Sequence, residues 1–143
     1  MAALQGTLAE DCLFCKIIEQ KIPSVKIYED DLTYAFMDIM PQADGHVLTI
    51  PKHHAEDVHA LPAEWARACM ETAQKIANAT KQALGCPGLM MMQLNGAAAG
   101  QTVFHYHIHT IPRFDGLDLK LHARDMVDAA SLQPIADKII AAL

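Results

Sequence analysis

The chain has 143 residues, 52% hydrophobic and 20% charged, which is the composition of one globular domain with a substantial core. Its 11 Lys and Arg stand against 17 Asp and Glu, a formal charge of −6 that counts against a protein gripping nucleic acid through a basic face. Small phosphate esters stay open as ligands, because backbone N–H groups and helix N-termini hold them without net positive charge.

Residues 1–10 read as a loose leader. They have neither a basic n-region nor a continuous apolar h-region, so no signal peptide is expected and the cytoplasm is the expected address. No apolar stretch approaches the ~20 residues that span a bilayer, so no membrane role is expected. Residues 24–29 alternate and read as a strand, Asp30-Asp31 as a tight turn, and 32–38 as the returning strand. Residues 41–45 form a turn-rich loop, and the strand at 46–50 stops at Pro51. The spacing predicts a long helix over 62–84, with Pro62 at its start and Gly85 just past its end. Trp65, Cys69, Ala73, Ile76, Ala77, Thr80 and Leu84 share its apolar face, leaving Glu64, Glu71, Lys75 and Lys81 to water. Two further strands, 89–95 and 104–112, flank the loop 96–102. Residues 114–126 are polar and irregular, and 131–143 form a short amphipathic helix. Consecutive strands with short links predict an α+β fold: one antiparallel sheet with helices packed on it.

Cysteine and histidine carry the chemistry. Cys12 and Cys15 are spaced C-x-x-C, which without an export signal points to metal or redox chemistry; Cys69 and Cys86 read as buried thiols. His105, His107 and His109 alternate along one predicted strand and so share a face. A His-x-His metal site of the cupin kind also wants a glutamate nearby, and 110–114 holds none. A helical His-Glu-x-x-His site is missing too, since His54 and His59 are five apart. The remaining option is an imidazole nucleophile toward phosphorus, abundant in neutral form at pH 7 and needing no metal to activate it.

His105-Tyr-His107-Ile-His109-Thr-Ile111 resembles the histidine triad (HIT) motif. Gly100-Gln101-Thr102-Val103 is similar to that family's phosphate loop, and Phe36-Met-Asp38-Ile39, Gly45-His46 and Ile50-Pro51-Lys52-His53-His54 match further family segments in order. The likeness runs from about Cys12 to Arg113. It implies a HIT-like fold, a five-stranded antiparallel sheet with one long helix and a short C-terminal helix, as a single domain over 1–143 with a variable segment at 114–143.

The resemblance implies a hydrolase or nucleotidyl transferase in which His107 attacks the α-phosphorus of a purine nucleoside phosphoramidate. His109 would contact phosphate and assist the leaving group, with Thr102 nearby and His46 as a supporting fourth histidine. Gly100, Gln101 and Thr102 would hold phosphate oxygens, Asp38 the ribose hydroxyls and Asn95 the ribose–phosphate region. Leu13, Phe14, Ile17, Phe36, Ile39 and Leu48 would line the nucleoside slot. Cys12-x-x-Cys15 resembles the zinc-containing bacterial, Hint-like branch, which makes Cys12, Cys15, His54 and His105 the ligands of one structural zinc ion, with no catalytic metal. Family members are usually homodimers with a joined ten-stranded sheet. Dinucleoside polyphosphate hydrolysis is the second activity, on Gly100-Gln-Thr-Val103 and Ile111-Pro-Arg113; a non-catalytic nucleotide- or metal-binding regulatory module is the third. The sole tryptophan is Trp65, unlike the eukaryotic phosphoramidase branch with its C-terminal tryptophan.

Overall fold

A computed structural model describes residues 4–118 and 125–143. The sheet holds β1 (Lys26–Glu29), β2 (Thr33–Met37), β3 (Val47–Pro51), β4 (Gly88–Met92) and β5 (Ile108–Arg113). Their order is β1-β2-β3-β5-β4, every neighbouring pair antiparallel. Among the described residues, three α-helices accompany the sheet: α1 (Leu13–Ile18), α2 (Ala63–Leu84) and α3 (Ala129–Ala141). The expected strand at 89–95 ends at Met92, and the expected C-terminal helix begins at Ala129. Of the expected segment 114–126, residues 119–124 lie outside the described residues.

Alternation explains the layers. Ala35, Met37 and Val47 face α2 and α3, where they pack with Ile76, Ala79, Leu132, Ala136 and Ile139. Tyr34, Phe36, Leu48 and Ile50 face the other way and pack with Cys12, Phe14, Cys15 and Ile17 of the α1 segment. The central strands β2 and β3 are therefore buried throughout. On α2, Thr72 and Ala79 join the buried stripe, while Ala77 is only half-buried. Cys69 and Cys86 are buried free thiols.

Asp30 closes the β1–β2 hairpin. Its Oδ1 accepts from the Leu32 and Thr33 N–H groups, both at 2.8 Å, and from the Thr33 hydroxyl, while Oδ2 accepts from Tyr28. Burial pushes its carboxyl up, but these bonds outweigh it and the acid lies below its ordinary value. Asp30→Ala should cost about 1–3 kcal/mol, because it orphans donors that the turn half-buries. A urea titration should show a lower midpoint with an unchanged slope.

Two expectations change around the functional face. Residues 13–18 form a helix where none was predicted; it is capped by the Cys12 thiol, which accepts the Cys15 N–H at 3.4 Å. The last strand starts at Ile108 instead of 104. The β3–β5 register, with Val47 opposite Thr110, would set Pro51 opposite Tyr106. Proline has no N–H to donate to a ladder. Tyr106 donates instead to the Ala55 carbonyl, and the Pro51 carbonyl takes the ring N–H of His105. The leader is also tied down at its end: the Thr7 N–H donates to His53 Nδ1, and the His54 N–H donates to the Thr7 carbonyl. Gly6 passes so close to Lys52 that a Cβ there would lie 1.8 Å from the Lys52 carbonyl oxygen.

Candidate active site and metal cluster

The chain bends at residues 103–105 and pairs only from Ile108, yet the alternation of side chains survives the late strand start. Tyr106 and Ile108 pack toward Trp65 and Cys69 on the α2 side. His105 and His107 turn to the opposite face, both touched by the ring of Phe14, and the His107 and His109 ring centroids are 4.8 Å apart.

Hydrogen bonds fix which nitrogen of each ring carries the proton. His107 Nδ1 lies 2.7 Å from the His105 carbonyl, which can only accept, so Nδ1 holds the hydrogen and Nε2 keeps its lone pair. His46 Nδ1 accepts the Gln42 N–H, so its Nε2–H donates to His109 Nδ1 at 2.9 Å. His109 then carries its own hydrogen on Nε2. Asp38 Oδ2 stands 3.5 Å from His46 Nε2. Burial pushes His46 down to about 4 and His109 to about 3, with the neighbouring rings pushing the same way, and burial also lowers His107. All three rings are neutral at neutral pH.

His107 and His109 border a cleft of about 660 Å³, within the range that takes a small organic ligand, while His46 stands behind His109 and does not line it. Of the residues expected at a nucleotide, Leu13, Phe14, Ile17, Phe36, Asp38, Ile39, Leu48, Gly100, Thr102, His107 and His109 all line it. Its lining combines the imidazoles of His107 and His109, Thr102 and Gly100 with apolar side chains such as Phe36, Ile39 and Leu48. Gly100 has φ +98°, a left-handed conformation that suits glycine and ends the short turn Ala97–Ala99 beside the cleft.

Two expected contacts are placed elsewhere. Asn95 accepts from the Val58 N–H at 2.7 Å and exchanges bonds with the Gln93 amide, outside the cleft wall. Gln101 is buried with both ends of its amide spent on backbone: it accepts from the Gly96 N–H and donates to the carbonyls of Glu56 and Val103. It shapes the loop and leaves the cleft to Gly100 and Thr102. Sequence inspection missed Met40, Met92, Leu94 and Met126 as wall residues. Only the pairing of their segments puts them there, and no local pattern marks them.

Behind the cleft, Cys12, Cys15, His54 and His105 converge, with one donor atom from each within 4.8 Å of the rest. His105 Nε2–H donates to the Pro51 carbonyl at 3.0 Å, which aims the Nδ1 lone pair at the two sulfurs and at His54 Nδ1. Burial pushes His105 down to about 4 against the pull of that carbonyl, so the ring is neutral and able to ligate. Sulfur–nitrogen separations are 3.4, 3.5 and 3.6 Å, and the two nitrogens are 3.3 Å apart. A tetrahedron with Zn–S near 2.3 Å and Zn–N near 2.05 Å has edges of about 3.5 Å between S and N and about 3.3 Å between N and N. Four of the six donor–donor distances thus match a closed tetrahedral zinc site, and the other two lie within 4.8 Å. Burial pushes the Cys15 thiol up to about 12, with the Ala9 N–H opposing and Cys12 reinforcing the shift, so a thiolate there requires a cation.

The HIT domain family model matches residues 19–116. The chain belongs to the HIT family. It is 43% identical over 110 residues to the adenosine 5'-monophosphoramidase HNT1 of Saccharomyces cerevisiae, covering 77% of this chain and 67% of that protein. A Hit-like protein from Bartonella henselae superposes with a TM-score of 0.88 at 42% identity, over 96% of this chain and 100% of that one. A zinc-bound histidine triad family protein from Mycobacterium smegmatis gives a TM-score of 0.82 at 35% identity, over 92% of each chain. The cysteine–histidine cluster fits the zinc-binding branch of the HIT family. Among the described residues of this HIT protein, no helix is long and apolar enough to cross a membrane.

The buried HIT histidines make an acid-sensitivity prediction. His46 and His109 titrate near 4 and 3 when folded, against an ordinary value of 6.5. Above pH 6.5 both states hold the neutral rings and the stability is fully present. As pH falls from 6.5 toward 4 the unfolded chain takes up protons that the folded chain refuses, so stability is lost. Urea midpoints should fall across that window by the equivalent of a few kcal/mol, roughly. His46→Gln should flatten the slope; an identical slope in the variant would rule His46 out as a source.

Proposed function

We propose that this HIT protein is a nucleotide hydrolase or nucleotidyl transferase that cleaves purine nucleoside phosphoramidates at the α-phosphorus, through a covalent nucleotidyl intermediate on His107. The observation that carries the reading is the bond from His107 Nδ1–H to the His105 carbonyl, which leaves Nε2 as a neutral nucleophile at the cleft beside His109. The adenosine 5'-monophosphoramidase of yeast supports the substrate class.

In the first half-reaction the His107 Nε2 lone pair bonds to phosphorus as the P–N bond breaks. The departing amine takes its proton from a water held by the His109 Nε2–H, which the bond chain from Gln42 through His46 sets. The hydroxide so formed attacks the same phosphorus, the P–Nε2 bond breaks and AMP leaves, with both rings neutral again. Thr102 and the backbone at Gly100 hold phosphate oxygens, and Asp38 accepts from the ribose hydroxyls. The base lies among Leu13, Phe14, Ile17, Phe36, Ile39 and Leu48.

Cys12, Cys15, His54 and His105 hold one structural zinc per chain, and the chemistry needs no other metal. The protein acts in the cytoplasm as a homodimer. In support, β4 is an edge strand with a free row of backbone groups, and Met70 on α2 and Met91 on β4 are exposed.

Incubation with an adenosine phosphoramidate, with no divalent ion added, should release AMP and leave an acid-labile adenylyl adduct visible as added mass on the chain. Turnover confined to dinucleoside polyphosphates would move the substrate class to phosphoanhydrides. Tight AMP binding with no turnover of either would make the protein a binding module.

A further inference from the structure

We infer that the cysteine–histidine cluster and the nucleotide cleft are energetically coupled, so that an occupied cluster builds one wall of the cleft and positions His107. The inference rests on the reading of the cleft given above.

Two residues belong to both sites. His105 puts its ring into the cluster while its carbonyl accepts the His107 Nδ1–H at 2.7 Å. Moving the ring moves the peptide that sets the nucleophile's tautomer. Phe14 stands between the two cysteines in sequence and lays its ring edge-on against both His105 and His107, at centroid distances of 5.9 and 5.2 Å.

Helix α1 is the mechanical link. Its six residues are too few to hold a helix in water without tertiary anchors. One anchor is the cluster: Cys12 is the N-cap, Cys15 lies in the first turn, and the Ala9 N–H reaches the Cys15 sulfur. The opposite side, Leu13, Phe14 and Ile17, is cleft wall. Without a cation the contacts of 3.3–3.6 Å among the four donors are at most weak S–H···N and N–H···N bonds, whereas a bound ion would hold all four at once. Without one the cluster loosens, α1 loses its N-terminal hold, and the apolar wall and the His107 contact go with it. Such coupling is reciprocal: whatever a bound metal adds to nucleotide affinity, a bound nucleotide adds to metal affinity.

The test starts from the zinc-loaded full chain. Zinc release into excess chromogenic chelator is timed with and without saturating AMP, and global unfolding is timed separately from the fluorescence of Trp65, the only tryptophan. Release faster than global unfolding reports local opening at the cluster. AMP should slow that release about tenfold, within the usual range of coupling factors of about 5–150. Phe14→Leu, which removes the ring between the histidines, should shrink the factor to about twofold when read at AMP concentrations raised until they saturate the variant. In the loaded chain, ¹⁵N imidazole resonances should show His107 as the single Nδ1–H tautomer. Release that AMP leaves unchanged within twofold, with AMP binding verified by calorimetry, overturns the coupling and leaves the cleft reading standing. Failure of AMP to bind the loaded chain overturns both.

Discussion

His107→Asn is expected to lose turnover of an adenosine phosphoramidate by roughly 10⁵-fold or more, the scale on which enzymes respond to loss of a covalent nucleophile. Asparagine is the informative choice because its amide N–H can still donate to the His105 carbonyl, which His107 Nδ1 reaches at 2.7 Å. It keeps the local bond and volume while removing the second ring nitrogen, so the variant separates nucleophilicity from packing. AMP affinity by calorimetry should stay within a few-fold, and the adenylyl adduct should vanish from the mass spectrum. His109→Gln should be milder, on the order of 10²–10⁴-fold in the chemical step, as expected for a group that assists proton transfer to the leaving amine. A His107→Asn protein retaining a tenth of the activity would end the covalent mechanism, since among the described residues lining the cleft the other imidazole, His109, has its Nδ1 lone pair taken by His46. His105 directs its lone pair at the cysteines, and His46 and His109 are bonded to one another.

The histidine segment was legible because strand alternation depends only on extended backbone. His105, His107 and His109 share a face even though regular pairing begins at Ile108. Helix α2 was legible for a similar reason: it has 22 residues, long enough for its 3.6-residue period to emerge above the noise. Helix α1 has six and shows less than two turns of pattern; it exists through Cys12, Cys15 and the packing of Phe14 and Ile17. Asn95 and Gln101 mark another limit. An amide beside a glycine-rich loop serves ligand or loop equally well in sequence, and only the structure shows these two bonded to Val58, Gly96 and Val103. The role of His53 was equally hidden. It neighbours His54 in sequence, yet it stacks on Trp65 at 5.2 Å and takes the Thr7 N–H, while His54 alone turns to the sulfurs.

The second large effect belongs to the cluster. Stripping the metal with a chelator, or replacing Cys15 with serine, should lower the melting temperature by about 10–15 °C. A ligand present at a thousand times its dissociation constant stabilises the folded state by about 4 kcal/mol, and each kcal/mol moves a chain of this size by about 2–4 °C. The location argues for the upper part of that range. The four donors come from the N-terminal segment, the loop after β3 and the lead-in to β5, so one ion ties together three segments 39 to 93 residues apart in the chain. Serine is nearly the shape of cysteine, and Cys15 has no exposed surface, so packing changes little and the loss reports ligation. Wild-type protein should carry close to one zinc per chain by elemental analysis, and Cys15→Ser well under half of that. Cys69→Ser supplies the control: this thiol is equally buried but packs with Trp65, Tyr106 and Ile108 instead of with the donors, and burial pushes it up to about 12 with Asp30 adding to the shift. A chelated protein that melts within 2 °C of the untreated one, despite full zinc at the start, would leave the ion as a passenger and remove the anchor on which α1 depends.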